Sequence, residues 1–198
     1  MSSEQGLPEG ATPLDPDESE GLIPGHIATR AELNEAEEAN IAHGFAWGVR
    51  AIRSRRVLTD EFGYELHRRM FDQVWEWAGT TRRTNKNIGI DKLMIRVAVR
   101  ELMADAAVWN DKQVYPPDEI AVRLHHRLVA IHPFPNGNGR HARMIADLFL
   151  LQSGIRPLRW GQGRGSLVST GEIRSAYITA LRAADAGKLA PLLAFARS

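Results

Sequence analysis

A mostly α-helical fold with one small β-hairpin is what this 198-residue sequence predicts, and three observations predict it. Helix-start signals recur along the chain. Apolar residues then return every three or four positions, the period of one helix face. Only one stretch, residues 80–95, mixes strand formers with turn residues. With 43% hydrophobic residues over this length, the chain is expected to bury one sizeable core.

The first 25 residues are rich in glycine, proline and acids and have little to bury. They are expected to form an acidic flexible segment, leaving residues 26–198 as a single domain. Thr29-Arg30-Ala31-Glu32 is a capping box, in which Thr29 and Glu32 satisfy each other's backbone donors. The helix it opens should run through Leu33, Ile41 and Phe45 towards Ile52. Thr59 opens a second, with Asp60 and Glu61 where they suit the helix dipole. There Phe62, Leu66, Met70 and Val74 recur every four residues; Trp77 extends the stripe and Gly79 is the expected stop. In residues 80–95, Thr and Ile favour strand while Asn-Lys-Asn and Gly89 favour turns, which predicts a short hairpin or flap.

A helix through Val99, Leu102, Met103, Ala106 and Trp109 follows, ended before Pro116-Pro117. The next starts near Pro117 and carries Ile120, Leu124, Leu128 and Ile131 on one face. Pro133 disfavours helical geometry at His132, so this helix should stop there. Another begins near Gly139–Arg140, runs through Met144, Ile145, Leu148 and Leu151, and stops at Gly154. Residues 170–196 read as helical again, with Tyr177, Leu181 and Leu192–Phe195 apolar. Trp75, Trp77, Trp109 and Trp160 belong in or beside the core.

Composition removes some function classes. Without cysteine there is neither disulfide nor thiolate chemistry. No apolar run is long enough to span a bilayer and no signal-peptide pattern is seen, so no membrane partner and a cytoplasmic location are expected. The net charge of +1 hides an asymmetry, because residues 1–22 hold six acids and no base; the rest, at +7, suits an anionic ligand or, equally on charge alone, a scattered solvated surface. The arginines at 53, 55, 56, 82 and 83 come with no stacking-aromatic pattern or recognition helix. A solvated surface is expected for them rather than nucleic acid. His125 and His126 are adjacent and point to different helix sides, which does not build a zinc site.

The chemistry concentrates in residues 132–143, HPFPNGNGRHAR. Gly137 and Gly139 bracket Asn138 just before a helix. Converging backbone N–H groups at a helix start make an anion site. Arg140 and Arg143 lie three apart on the first turn, and guanidinium forks match phosphate oxygens. His132 ends the preceding helix, where a neutral imidazole is a natural general base. Phe134 is apolar among polar neighbours and should plug into the core. His141 is expected on the surface of the first turn. A plain Gly-Asn turn between helices would explain the glycines alone. A base, a phosphate cradle and two charge stabilisers together point to phosphoryl or nucleotidyl transfer.

These residues resemble the signature of the Fic family, His-Pro-Phe-x-Asp/Glu-Gly-Asn-Gly-Arg-x-x-Arg, at every fixed position except the acid, here Asn136. The likeness extends to LHRRMFDQVWEWAGTTRRTN (66–85) and YITALRAADAGKLAPLLAF (177–195), a core of residues 55–196. The leading segment GATPLDPDESEGLIPGHIATRAELNEAEEANI is similar to the subgroup called mobile mystery protein B. The resemblance implies a Fic-type helical bundle with a hairpin flap. It also implies an adenylyltransferase that moves AMP from ATP to a Ser, Thr or Tyr hydroxyl of a target protein and releases pyrophosphate. A module that only binds nucleotide, another nucleotide donor, or AMP removal are the alternatives.

Carried over by position, His132 would deprotonate the hydroxyl. Gly137, Asn138 and Gly139 would hold the α- and β-phosphates, Arg140 the leaving phosphates and Arg143 the γ-phosphate. Ile88 or Ile90 on the flap would align the target as an added strand. The family's acid at position 136 helps hold Mg²⁺; Asn136 offers an uncharged carbonyl oxygen instead. The family's inhibitory motif, Ser/Thr-x-x-x-Glu-Gly/Asn, has no strict match. The nearest helical form is Asn34-x-x-x-Glu38-Ala39, which makes Glu38 a candidate inhibitory residue, although an ordinary exposed glutamate is the simpler reading. Control by a separate antitoxin-like protein, a toxin–antitoxin-like arrangement, is the other expectation.

Overall fold

A computed structural model describes residues 21–27, 29–161 and 171–198 of the chain. Most of the expected acidic lead-in therefore lies outside the described residues. Those described divide into two compact units, one within Leu14–Arg156 and one taking in Pro157–Ser198.

The larger unit holds five helices among its described residues: α1 (Arg30–Ala51), α2 (Asp60–Phe71), α3 (Ile95–Asp111), α4 (Pro117–Ile131) and α5 (Asn138–Gln152), with a short 3₁₀ turn at Lys92–Met94. The start signals are borne out. Thr29 and Glu32 close the reciprocal box on α1. Thr59 accepts from the N–H of Phe62 to cap α2, and Pro117 sits in the first turn of α4. The core between the helices is apolar and tight, with Phe62, Leu66, Met70, Ile95, Leu102, Ile120, Leu124 and Ile145 all buried to solvent.

Helix α1 turns an unusual face inward. Its buried positions are Glu37, Asn40, Gly44 and Gly48, spaced three and four apart, while Phe45 is exposed. At Gly44 an added Cβ would lie 2.9 Å from the Met70 Cα, so α1 meets α2 nearly backbone to backbone. Asn40 then does a capping group's work from a neighbouring helix. Its amide nitrogen donates to the Arg69 carbonyl (3.1 Å), and its oxygen accepts from the Gln73 N–H (2.9 Å). That contact helps explain why α2 ends at Phe71 and not at Gly79 as the apolar spacing predicts. Val74 and Trp75 remain buried beyond the helix. Their backbone meets the segment before α1, where the Ile23 N–H donates to the Val74 carbonyl and Leu22 bridges to Trp75.

That bridge is the only β-type contact among the described residues, and the expected hairpin does not form. In residues 80–94 side chains and two backbone bonds to the 131–133 turn, from the Arg82 and Ile90 N–H groups, take the place of a cross-strand ladder. Asn85 accepts from the Lys92 N–H (2.9 Å), Asp91 from the Leu93 N–H (2.8 Å), and the Lys92 ammonium donates to the Arg83 carbonyl (2.8 Å).

The smaller unit contains α6 (Gly171–Asp185) and α7 (Ala190–Arg197). The Tyr177 and Phe195 rings meet at 5.7 Å, and the N–H groups of Arg159 and Trp160 both donate to the Ala196 carbonyl. No helix among the described residues is long and apolar enough to cross a membrane.

Candidate active site

The site is built from two helix ends. Helix α4 stops at Ile131, and His132 takes a left-handed conformation (φ 54°, ψ 61°) while its N–H still donates to the Leu128 carbonyl. A left-handed residue with a side chain costs about 1–3 kcal/mol, and Pro133 removes the helical alternative. Arg82 holds this turn from the side. It is buried, and its Nε donates to the His132 carbonyl at 2.7 Å. Its two other guanidinium nitrogens donate to the carbonyls of Thr84 and Ile90. Arg82 is thus a clamp between flap and loop, not a member of a solvated surface. Burial lowers the His132 imidazole to about 4; the charges of Arg82 and Lys86 act in the same direction, against a backbone hydrogen bond at Val129. At neutral pH the ring is uncharged and able to accept a proton.

Phe134 plugs the core as its apolar character predicts, at 1% exposure. It stacks on His67 (centroids 3.6 Å apart) and meets Tyr64 and His141 edge-on. His141 corrects the surface expectation. It is buried, and Nε2 lies 2.8 Å from the Gly63 carbonyl. A first-turn residue faces solvent only where nothing packs on that turn, and α2 packs there. Asn138 spends both ends of its amide on Phe134, accepting from its N–H and donating to its carbonyl, each at 2.9 Å. This closes the loop and leaves the backbone N–H of Asn138 as its offering to a ligand.

Helix α5 begins at Asn138 without a side-chain cap, in contrast to α1 and α2. Its first-turn N–H groups lack intrahelical acceptors and suit an anion. Gly137 precedes them at φ 77°, where a Cβ would come 2.5 Å from the Phe71 ring, so no other residue fits without a shift. Its N–H donates to Asn136 Oδ1 at 2.7 Å.

The arginines differ. Arg140 lies over the Phe71 ring (5.1 Å to its centroid), and its Nη1 pairs with Glu37 Oε2 at 2.7 Å. The other Glu37 oxygen accepts from the Trp75 indole N–H at 2.8 Å. Arg143 is half-buried near His125, whose ring burial keeps well below the ordinary histidine range, with the Arg143 charge adding to the effect. Glu38 is exposed, and its neighbour Glu37 is the acid of α1 that reaches the loop. On the flap, Gly89 lies against His132, with 2.8 Å between its would-be Cβ and the His132 Cβ. Ile88 is exposed and Ile90 half-buried.

The Fic/DOC family model matches residues 57–150, which contain this loop, α2 and the flap. The segment is a Fic/DOC family domain. Around this Fic/DOC core, protein adenylyltransferase fic-1 of Caenorhabditis briggsae is 33% identical over 137 residues, 66% of this chain and 25% of the relative. Fic-1 of C. elegans has a solved structure with TM-score 0.59 and 26% identity, covering 91% of this chain and 51% of that one. A Fic domain-containing signalling protein from Bacteroides thetaiotaomicron shares the fold at TM-score 0.68 and 20% identity, over 85% of this chain and 70% of its own. The chain spans about a quarter of the length of the first curated relatives it matches.

Three residues that hold the candidate site together escape a reading of the sequence: Glu37, His67 and Arg82. Glu37 lies in register with Asn40, Gly44 and Gly48, a face recognisable only once glycine is allowed to mark a close helix contact. His67 follows Leu66 and precedes charged residues, which signals nothing. No group of three or more His, Cys, Asp or Glu side chains that could hold a metal occurs among the described residues. Asn136 Oδ1, a hard oxygen already placed at the loop by Gly137, fits as the chain's own contribution.

Proposed function

We propose that this protein transfers AMP from ATP to a hydroxyl group of a target protein. One observation carries the reading: a neutral, buried His132 ends α4, and the uncapped start of α5 with Arg140 and Arg143 follows within the same short loop. His132 takes the proton of the target hydroxyl. The hydroxyl oxygen forms a bond to the α-phosphorus, the bond from that phosphorus to the bridging oxygen breaks, and pyrophosphate leaves. The N–H groups of Asn138 and Gly139 receive the α- and β-phosphates. Arg140 keeps one edge on Glu37 and presents its remaining donors to the leaving charge, while Arg143 serves the γ-phosphate. Mg²⁺ held through Asn136 would supply further neutralisation of the phosphates.

A protein target is supported by exposed apolar side chains on the flap and the start of α3. Ile88, Leu93, Met94 and Val97 are 41%, 81%, 53% and 49% exposed, an apolar patch of the kind that marks an interface. The likeness of the leading segment supports membership of the mobile mystery protein B subgroup, and the lack of a strict inhibitory motif supports a separate antitoxin-like regulator.

The test is incubation with α-labelled ATP, Mg²⁺ and cell lysate. Label should appear on protein and fall by roughly 10²–10⁴-fold for His132→Ala, the usual worth of a general base. Binding of ATP with no transfer in the wild type would leave a binding module, and release of AMP from pre-labelled protein would make it a hydrolase. Asn136→Asp should lower the Mg²⁺ needed for half-maximal transfer; an unchanged requirement removes Asn136 from the metal's surroundings.

A further inference from the structure

We infer that His67 is a positioning residue that sets the direction of the backbone N–H groups in the phosphate cradle. His67 is fully buried on α2 and cannot touch a substrate. Its ring joins two segments far apart in sequence. The Gly79 N–H donates to Nδ1 at 3.0 Å, which leaves Nε2 as the protonated nitrogen. Nε2 then donates to the Asn136 carbonyl at 3.1 Å. Burial, with His141 and Arg140 nearby, keeps the ring neutral, as this pattern requires.

The carbonyl it holds is a strategic one. Asn136 C=O and Gly137 N–H share one trans peptide plane and point in opposite directions. Fixing the carbonyl towards His67 therefore fixes the Gly137 N–H away from it, towards Asn136 Oδ1, where it is found. The next amide in line, that of Asn138, opens α5. Stacking on Phe134 at 3.6 Å, with 16° between the planes, locks the imidazole rotation that this geometry needs. The Gly137 conformation leaves no slack on the far side, because Phe71 fills it. His67 thus transmits the position of the turn after α2 into the orientation of the cradle.

The proposal rests on reading that loop as a nucleotide cradle, and its test separates the two. Asparagine places an oxygen near Nδ1 of histidine and glutamine places a nitrogen near Nε2, so His67→Asn keeps the Gly79 bond and His67→Gln the Asn136 bond. His67→Phe keeps the stacking and loses both. Amide hydrogen exchange at Gly79 and Gly137, and ATP affinity by calorimetry, are measured for all four proteins. In His67→Asn and His67→Phe the Gly137 amide should exchange faster and ATP bind about tenfold more weakly, the worth of one misplaced hydrogen bond. His67→Gln should protect Gly137, expose Gly79, and bind ATP within about threefold of wild type. Equal Gly137 exchange in every folded variant overturns the proposal, as does ATP affinity that follows thermal stability alone. If the wild type binds no ATP, the nucleotide reading fails while the Gly137 comparison still decides the role of His67.

Discussion

The loop at residues 132–143 and the flap at residues 80–94 touch each other and are built on opposite plans. His132, Pro133, Phe134, Pro135, Gly137 and Asn138 are all buried, and the loop is held by rings, helix ends and hydrogen bonds from α2. The flap is largely exposed and is held by its own Asn85, Asp91 and Lys92, with Arg82 as its buried root. Under the proposed function the loop carries the reacting group, which has to be placed within a fraction of an ångström, and the flap carries the surface that selects a partner, which has to be reachable. The fold spends its core on the first and leaves the second outside.

Acid should separate the two regions most strongly. His67, His125, His132 and His141 are all held below the unfolded value near 6.5, and all belong to the loop or the helices beside it. Their folded pKa values are depressed, so the unfolded chain takes up protons first. Stability is complete above about pH 6.5 and is lost as pH falls towards the folded values. With His132 and His141 at about 4, each should cost about 2 kcal/mol by pH 5. Thermal melts at pH 7 and pH 5 check this, and a flat profile would mean that the histidines are not buried neutral in solution.

Gly137→Ala comes next, at about 3 kcal/mol, because it adds a left-handed penalty to a collision with Phe71. Chemical denaturation measures it, and a loss under about 1 kcal/mol would show that the loop yields more readily than its packing suggests. Arg82→Met should cost about 2 kcal/mol by leaving three carbonyls without their charged donor. Proteolysis should then cut the flap before any other described segment. Leu93→Ser, at 81% exposure, should change stability by less than about 0.5 kcal/mol and leave ATP affinity alone. Label transfer to the target protein should nevertheless fall; unchanged transfer would remove this patch from partner selection.

Much of the architecture is legible in the sequence because it rests on local signals. Thr29, Thr59 and Pro117 open helices, Pro133 closes one at His132, and Phe134 enters the core, each for a reason contained within a few residues. The parts that are not legible depend on neighbours distant in sequence. Arg82 and His141 belong to residue types that are usually solvated, and only the carbonyls they meet across the fold make burial tolerable. The end of α2 at Phe71 is shaped by Asn40 on another helix. The absent hairpin is a competition between a ladder and side-chain hydrogen bonds, and β-propensity measures only one competitor.

Trp75 has an optical consequence. Its indole N–H binds the same carboxylate that holds Arg140, and its ring lies 5.0 Å from that of Trp77. Indole emission is sensitive to such a bond, which gives the protein a built-in fluorophore one carboxylate away from the arginine expected to meet the leaving phosphates. A phosphate that engages the free edge of Arg140 would change the field at that shared carboxylate and announce its arrival as a change in colour, without a label.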